Sequence, residues 1–136
     1  MADKVVLDSN IFVAAAFNKR SNSAQLIAMA RQGRLRLMWH RQTREETRIQ
    51  LEKIPPISWQ PFADLFDPRN EIKDDLPVDQ YAFIPDPDDR KFAALAEKAQ
   101  AVLVTNDQHL LSVAGRLGVE VLTAGGTLTR FGKSRQ

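Results

Sequence analysis

The sequence predicts an α/β fold built on a central, mostly parallel sheet, and three features carry that prediction. Short apolar runs, Val5-Val6-Leu7 and Val102-Leu103-Val104, stop abruptly on polar residues, as the buried strands of a parallel sheet do. Segments with helical spacing alternate with these runs. A strand, helices and a second strand also follow one another within residues 4–39, the spacing of a right-handed parallel crossover. The 136 residues suit one domain with enough chain to bury a core, expected over 1–131, with a frayed tail at 132–136.

The first strand, Lys4 to Leu7, ends on Asp8, and Ile11 to Ala16 reads as a short helix behind it. Ser21-Asn22 offers a cap for a second helix, Ser23 to Gln32, closed by Gly33. Leu35 to Trp39 reads as the second strand. Residues 41–54 form a third helix, stopped by Pro55-Pro56. At one hundred degrees per residue Glu46 shares a side with Thr43, Thr47 and Gln50, whereas Glu45 falls with Arg41, Arg48 and Glu52, so Glu46 is read as facing inward. A short helix is expected over Ser58 to Phe66, its aromatics serving as core rather than as a base-stacking platform. Residues 67–85, broken by prolines, read as a connector over one sheet edge.

Asp86-Pro87-Asp88-Asp89 then opens the strongest helix, with Asp86 as its cap, Pro87 as its first residue and Asp89 at the capping-box position on the face of Phe92, Ala93 and Ala96. Asp86 and Asp88 are explained by the positive helix end alone. A strand over Ala101 to Thr105 follows, then a helix carrying Leu110, Leu111, Val113 and Ala114, a strand over 119–122, and a terminal helix from Ala124 to Phe131 that Gly125-Gly126 weakens.

Composition narrows the chemistry. The chain has no cysteine and two histidines, which excludes disulfides and thiolate sites and argues against a His-rich zinc centre. Any metal must be held by oxygen. No apolar run is long enough to span a membrane, and the N-terminus does not read as a signal peptide, so a cytoplasmic location is expected. The net charge is only +2, yet Arg31 to Lys53 is rich in cations while acids gather between Asp64 and Asp89. Basic flanks beside an acidic pocket suit a polyanion with cations between, although for a charge cluster taken alone a solvated helix face with neutral partners is the commoner explanation.

Four acids stand out by position: Asp8 and Asp107 at the ends of apolar strands, Glu46 and Asp89 on inner helix faces. Each has a dull explanation alone; Asp8, for instance, is also a good helix N-cap. Gathered at one sheet edge, four carboxylates repel one another unless cations or protons neutralise them, and hard oxygen donors select Mg²⁺ or Mn²⁺. Such ions hold a phosphodiester and activate water for hydrolysis. Asn10 and Thr105 are placed to orient the carboxylates or bound water.

The stretches Val5-Val6-Leu7-Asp8-Ser9-Asn10, Glu46 followed by Leu51, Asp86-Pro87-Asp88-Asp89-Arg90-Lys91-Phe92 and Val102-Leu103-Val104-Thr105-Asn106-Asp107-Gln108-His109-Leu110-Leu111 resemble a PIN domain. More narrowly they resemble the bacterial toxins of toxin–antitoxin systems akin to VapC, over nearly the whole chain. The resemblance implies a three-layer α/β/α sandwich with about four to five strands, usually paired into a homodimer. It matches Asp8, Glu46, Asp89 and Asp107 to the family's metal-binding acids, and implies Mg²⁺- or Mn²⁺-dependent endoribonuclease cleavage of RNA, with an antitoxin protein as partner. Two departures stand in the motifs: the segment before Glu46 is more polar than usual, and Asn106 replaces a common glycine, a mild change because Asn tolerates turn conformations.

Two other readings remain open at this level. A haloacid-dehalogenase-like phosphatase also begins with a strand ending in aspartate, but would carry aspartate where this chain has Asn10. A PIN-like module that binds RNA or protein without cutting keeps the same motifs. Arg41 and Arg44 are the candidate phosphate contacts, with His40 beside them, and His109 reads as a surface residue rather than a base.

Overall fold

The structure, a computed structural model, describes residues 2–132. Four parallel strands, β1 (Asp3–Leu7), β2 (Leu35–Leu37), β3 (Val102–Val104) and β4 (Val121–Leu122), lie in the order β2-β1-β3-β4. Val5 pairs with Leu37 and with Val102, and Leu7 with Val104, so β1 and β3 are the two inner strands. Around them lie α1 (Ser9–Phe17), α2 (Asn22–Arg31), α3 (Arg41–Glu52), α4 (Pro87–Ala99), α5 (Gln108–Leu111) and α6 (Ala124–Phe131).

The alternation of side chains along a strand builds the layers. Val5, Leu7 and Val104 face one core with Ile11, Phe12, Leu26, Leu51 and Phe66, beneath α1 and α2. Val6 and Leu103 face the other, with Phe92, Leu95 and Ala96 of α4 and Leu110 of α5. The result is the α/β/α sandwich that was expected, with four strands. In the first core Phe12 stacks on Phe66 with ring centroids 5.7 Å apart and meets Phe62 edge-on at 5.6 Å, so the aromatics of residues 59–66 are packing residues.

Several boundaries differ from the sequence reading. β2 stops at Leu37; beyond it Trp39 leaves the sheet to bridge Glu71, its N–H donating to the Asn70 carbonyl and its carbonyl accepting from Ile72. The segment 67–85 is thereby bound to the open edge of β2, where Arg36 also donates twice to Asn70 Oδ1, and it sends Tyr81 and Ile84 into the second core. The short helix expected over Ser58 to Phe66 forms as a 3₁₀ helix confined to residues 60–65, and α3 ends two residues before the expected Ile54. α5 is one turn long; the chain then tightens into a 3₁₀ turn at 114–116, so the helix predicted through Ala114 is not formed. β4 is only two residues, whereas α6 spans Ala124–Phe131 as expected, because Thr123 caps it by accepting from Gly126 N and Thr127 is fully buried. Apart from Gly132, the tail expected at 132–136 lies outside the described residues. No helix among the described residues is long and apolar enough to cross a membrane.

α4 ends on Gln100, the one non-glycine among the described residues with positive φ (56°, ψ 49°). The left-handed conformation costs an L-residue about 1 kcal/mol that glycine avoids. Gln100→Gly is therefore expected to raise the melting temperature by about 2–4 °C, measured by thermal denaturation; a fall would mean that the exposed Gln100 side-chain bond to the Glu97 carbonyl outweighs the backbone relief.

Candidate active site

β1 leads through α1 and α2 to β2 on one side, and the chain then returns to form β3 on the other. The C-terminal ends of β1 and β3 thus flank the point where the strand order reverses, the usual place for a ligand crevice in an open α/β sheet. A cleft of about 120 Å³ opens there. Asp8, Glu46, Asp89 and Asp107 all line it, joined by Asp86, Asp88, Ser9, Asn10, Gln50 and Phe92.

Asp8 follows the last residue of β1 and is 3% exposed. It occupies the N-cap position of α1, but its side chain closes no capping bond. Instead Oδ2 accepts from the Thr105 hydroxyl at 2.7 Å, across the β1–β3 pair. The Thr105 Oγ1 in turn accepts from the backbone N–H of Asp107 at 3.0 Å, so one buried threonine fixes the first and last acids relative to each other. Burial is the main influence on the Asp8 carboxyl and pushes its pKa up; the Thr105 hydroxyl and the nearby backbone N–H groups of Asn10 and Ser9 pull down, while Asp107 pushes up. Asn10 itself is exposed at the rim.

Asp107 caps α5, its Oδ1 accepting from His109 N at 2.9 Å. His109 is three-quarters exposed, a surface residue as read from sequence. Asp89 is 8% exposed on the first turn of α4, whose cap is supplied by Asp86 accepting from Asp88 N. Asp89 makes no reciprocal capping-box bond; its carboxylate turns into the cleft, and its Oδ2 is buried without any hydrogen-bond partner. Burial, then the charges of Asp8, Asp86 and Asp107, then hydrogen bonding to Asp107 push its pKa up to about 7.

Helical phase separated the two glutamates correctly. Glu45 is exposed and pairs with Arg48, whereas the Glu46 side chain is 13% exposed and bonds to Lys91 Nζ at 3.0 Å and Gln50 Nε2 at 2.8 Å. Ser9 Oγ meets Thr47 Oγ1 at 3.3 Å, holding α1 against α3 behind the cleft.

Other residues fall elsewhere. Arg41 and Arg44 are exposed and do not line the cleft; the Arg44 guanidinium sits 5.1 Å from the Trp39 ring centroid, on the side of α3 away from Glu46. His40, read as a possible phosphate contact, is buried: Nδ1 accepts from Gln42 N and Nε2 bonds to the Asp74 carbonyl, so it caps α3 as a neutral imidazole whose pKa burial pushes down. Asn106 is not in a left-handed turn; its side chain accepts from Ala124 N and ties the loop after β3 to α6. Sequence reasoning missed Asp86 and Asp88 as cleft residues because their helix-end role seemed sufficient. It missed Lys91 because nothing local links it to Glu46.

Residues 4–109 match the PIN domain family, a span that runs from β1 into α5 and holds all four acids. The chain belongs to the PIN domain family. PIN domains are generally metal-dependent nucleases, which gives this acidic cleft its chemical context. Among curated proteins no sequence matches this chain.

Among the described residues of this PIN domain, no three His, Cys, Asp or Glu side chains are already drawn together as a metal-holding group. The donor set nevertheless fits a hard divalent ion: all its donors are oxygens, two carboxylates are buried, and the Asp89 Oδ2 lacks any donor. Without such an ion the charge is relieved by a proton. A carboxyl raised on folding binds its proton more tightly in the folded than in the unfolded protein, so stability declines as pH climbs from 3.8 through about 7. Asp89→Asn is expected to remove most of that decline and to raise the metal-free melting temperature at pH 8 by roughly 5 °C. Parallel melting curves against pH for parent and variant would contradict it.

Proposed function

We propose that this PIN domain is a divalent-metal-dependent endoribonuclease that hydrolyses RNA phosphodiester bonds, with Asp8, Glu46, Asp89 and Asp107 as its metal-binding and catalytic acids. The reading extends to a cytoplasmic, homodimeric toxin of the VapC type, held in check by an antitoxin protein. The observation that carries the activity is the buried, unpartnered Asp89 Oδ2, set among the charges of Asp8, Asp86 and Asp107. Natural proteins rarely leave a buried carboxylate oxygen without a donor, and one amid like charges calls for a cation.

Mg²⁺ or Mn²⁺, when bound, supplies the positive charge and Lewis acidity that in-line phosphodiester hydrolysis requires. The chain's own residues do the rest. Thr105 holds Asp8 in one orientation and spaces it from Asp107. Asp89 must give up its proton before it offers two anionic oxygens, so occupation of the cleft rises with pH through about 7. Asp107 is aimed by its bond to His109 N, and Asn10 stands at the rim where a phosphate oxygen or water would arrive. Arg41 opens α3 just beyond the C-terminal end of β2, on the same sheet rim as the cleft, and with Arg44 offers exposed charge to the RNA backbone.

The decisive comparison is cleavage of structured RNAs with Mn²⁺ by the parent and by Asp8→Asn. A metal-dependent parent activity that falls by about 10³-fold or more in a folded variant supports the assignment, since a charged ligand set acts as a unit. RNA binding without cleavage by the parent under Mg²⁺ and Mn²⁺ would instead make the domain a binding module. For Arg41→Ala with Arg44→Ala, the slope of log affinity against log salt is expected to flatten by about 0.7 for each phosphate that is no longer neutralised; an unchanged slope removes both from the RNA footprint.

A further inference from the structure

We propose that Lys91 is the resident counter-cation of the cleft and competes with divalent metal for Glu46, so that an ion entering the free protein meets Asp8, Asp89 and Asp107 first and gains Glu46 only by displacing the lysine. The inference rests on the reading of the cleft as a metal site and divides its acids into two groups. Lys91 lies on α4, two residues beyond Asp89, and its ammonium reaches across to α3, 3.0 Å from Glu46 Oε1 and 3.9 Å from Asp88 Oδ1. The other oxygen of Glu46 accepts from Gln50 Nε2 at 2.8 Å. Both oxygens of Glu46 are therefore taken by donors from the protein, one of them a full positive charge.

The contrast with Asp89 is direct, because its Oδ2 meets no donor at all. Both partners of the Glu46–Lys91 pair are largely buried, with side chains 13% and 18% exposed, so solvent and salt screen it little. A divalent ion gains Glu46 only by displacing an ammonium that is already desolvated and well placed, and removing that ammonium leaves a half-buried carboxylate in need of another cation. Lys91 is thus a positioning residue: it sets which carboxylates an ion meets and keeps α3 tied to α4 before any ion arrives.

The test is calorimetric titration of the full chain with Mn²⁺, alongside thermal melting. Lys91→Met is expected to bind Mn²⁺ at least about tenfold more tightly than the parent, the scale on which groups adjoining ligands tune metal affinity. Its metal-free melting temperature should fall and recover with Mn²⁺, while Lys91→Arg keeps the parent affinity. In the Lys91→Met background, Glu46→Gln should erase the gain. Unchanged or weaker Mn²⁺ binding by Lys91→Met overturns the inference alone, as does a gain that survives Glu46→Gln; where Lys91→Met does not fold, Lys91→Gln is read in its place, and unchanged or weaker binding there overturns the inference equally. Absence of Mn²⁺ binding by the parent and every variant overturns the metal-site reading together with it.

Discussion

A single hydroxyl joins the two inner strands at the rim where the cleft opens: Thr105, fully buried after β3, donates to Asp8 after β1 and accepts from the backbone of Asp107. That pair of bonds lets a buried carboxylate survive in one orientation, and it places the first and last acids of the cleft by strand register rather than by loop conformation. The register is in turn secured by the two cores, since Val5 and Leu7 anchor one face of β1 and Val6 the other. A slip of one residue would reverse these faces and carry Asp8 away from Thr105. The chemistry of the rim therefore depends on packing far below it.

The remaining charge is managed by backbone and by lysine. Asp8, Asp86 and Asp107 stand at the N-termini of α1, α4 and α5, and Asp89 lies in the first turn of α4, so helix ends with partial positive charge surround the acids. These partial charges do not suffice for Asp89, which burial and its neighbours push up to about 7. Glu46, set on the middle of α3, is served by Lys91 instead. The cleft thus holds one neutralised carboxylate and one that lacks a donor on Oδ2, side by side on α3 and α4.

Much of this was legible in the sequence because it follows from short-range rules. Apolar runs ending on Asp8 and before Asp107 reported strand ends, helical phase distinguished Glu46 from Glu45, and Asp86-Pro87 announced the start of α4. What escaped were features decided by tertiary contact. β2 was read too long because Trp39, though apolar, is drawn off to bridge Glu71, and α5 was read too long because Leu110 alone of its residues is buried. His40 was placed beside phosphate by its basic neighbours, yet its ring is spent on Gln42 N and the Asp74 carbonyl. Asn106 was explained by turn tolerance when it serves as an acceptor for α6. The Glu46–Lys91 pair joins residues 45 positions apart, and no local pattern marks it.

The claim on which all of this turns is that the acids of the rim form one electrostatic unit whose missing charge is supplied by a divalent ion in place of a proton. Proton release on Mn²⁺ binding, measured near pH 6.5 by calorimetry in buffers of different ionisation enthalpy, addresses it without reference to RNA. Release of about half a proton or more per ion is predicted, vanishing in Asp89→Asn, because a carboxyl titrating near 7 must ionise to accept the ion. Binding without proton release, or no binding at all, would contradict it.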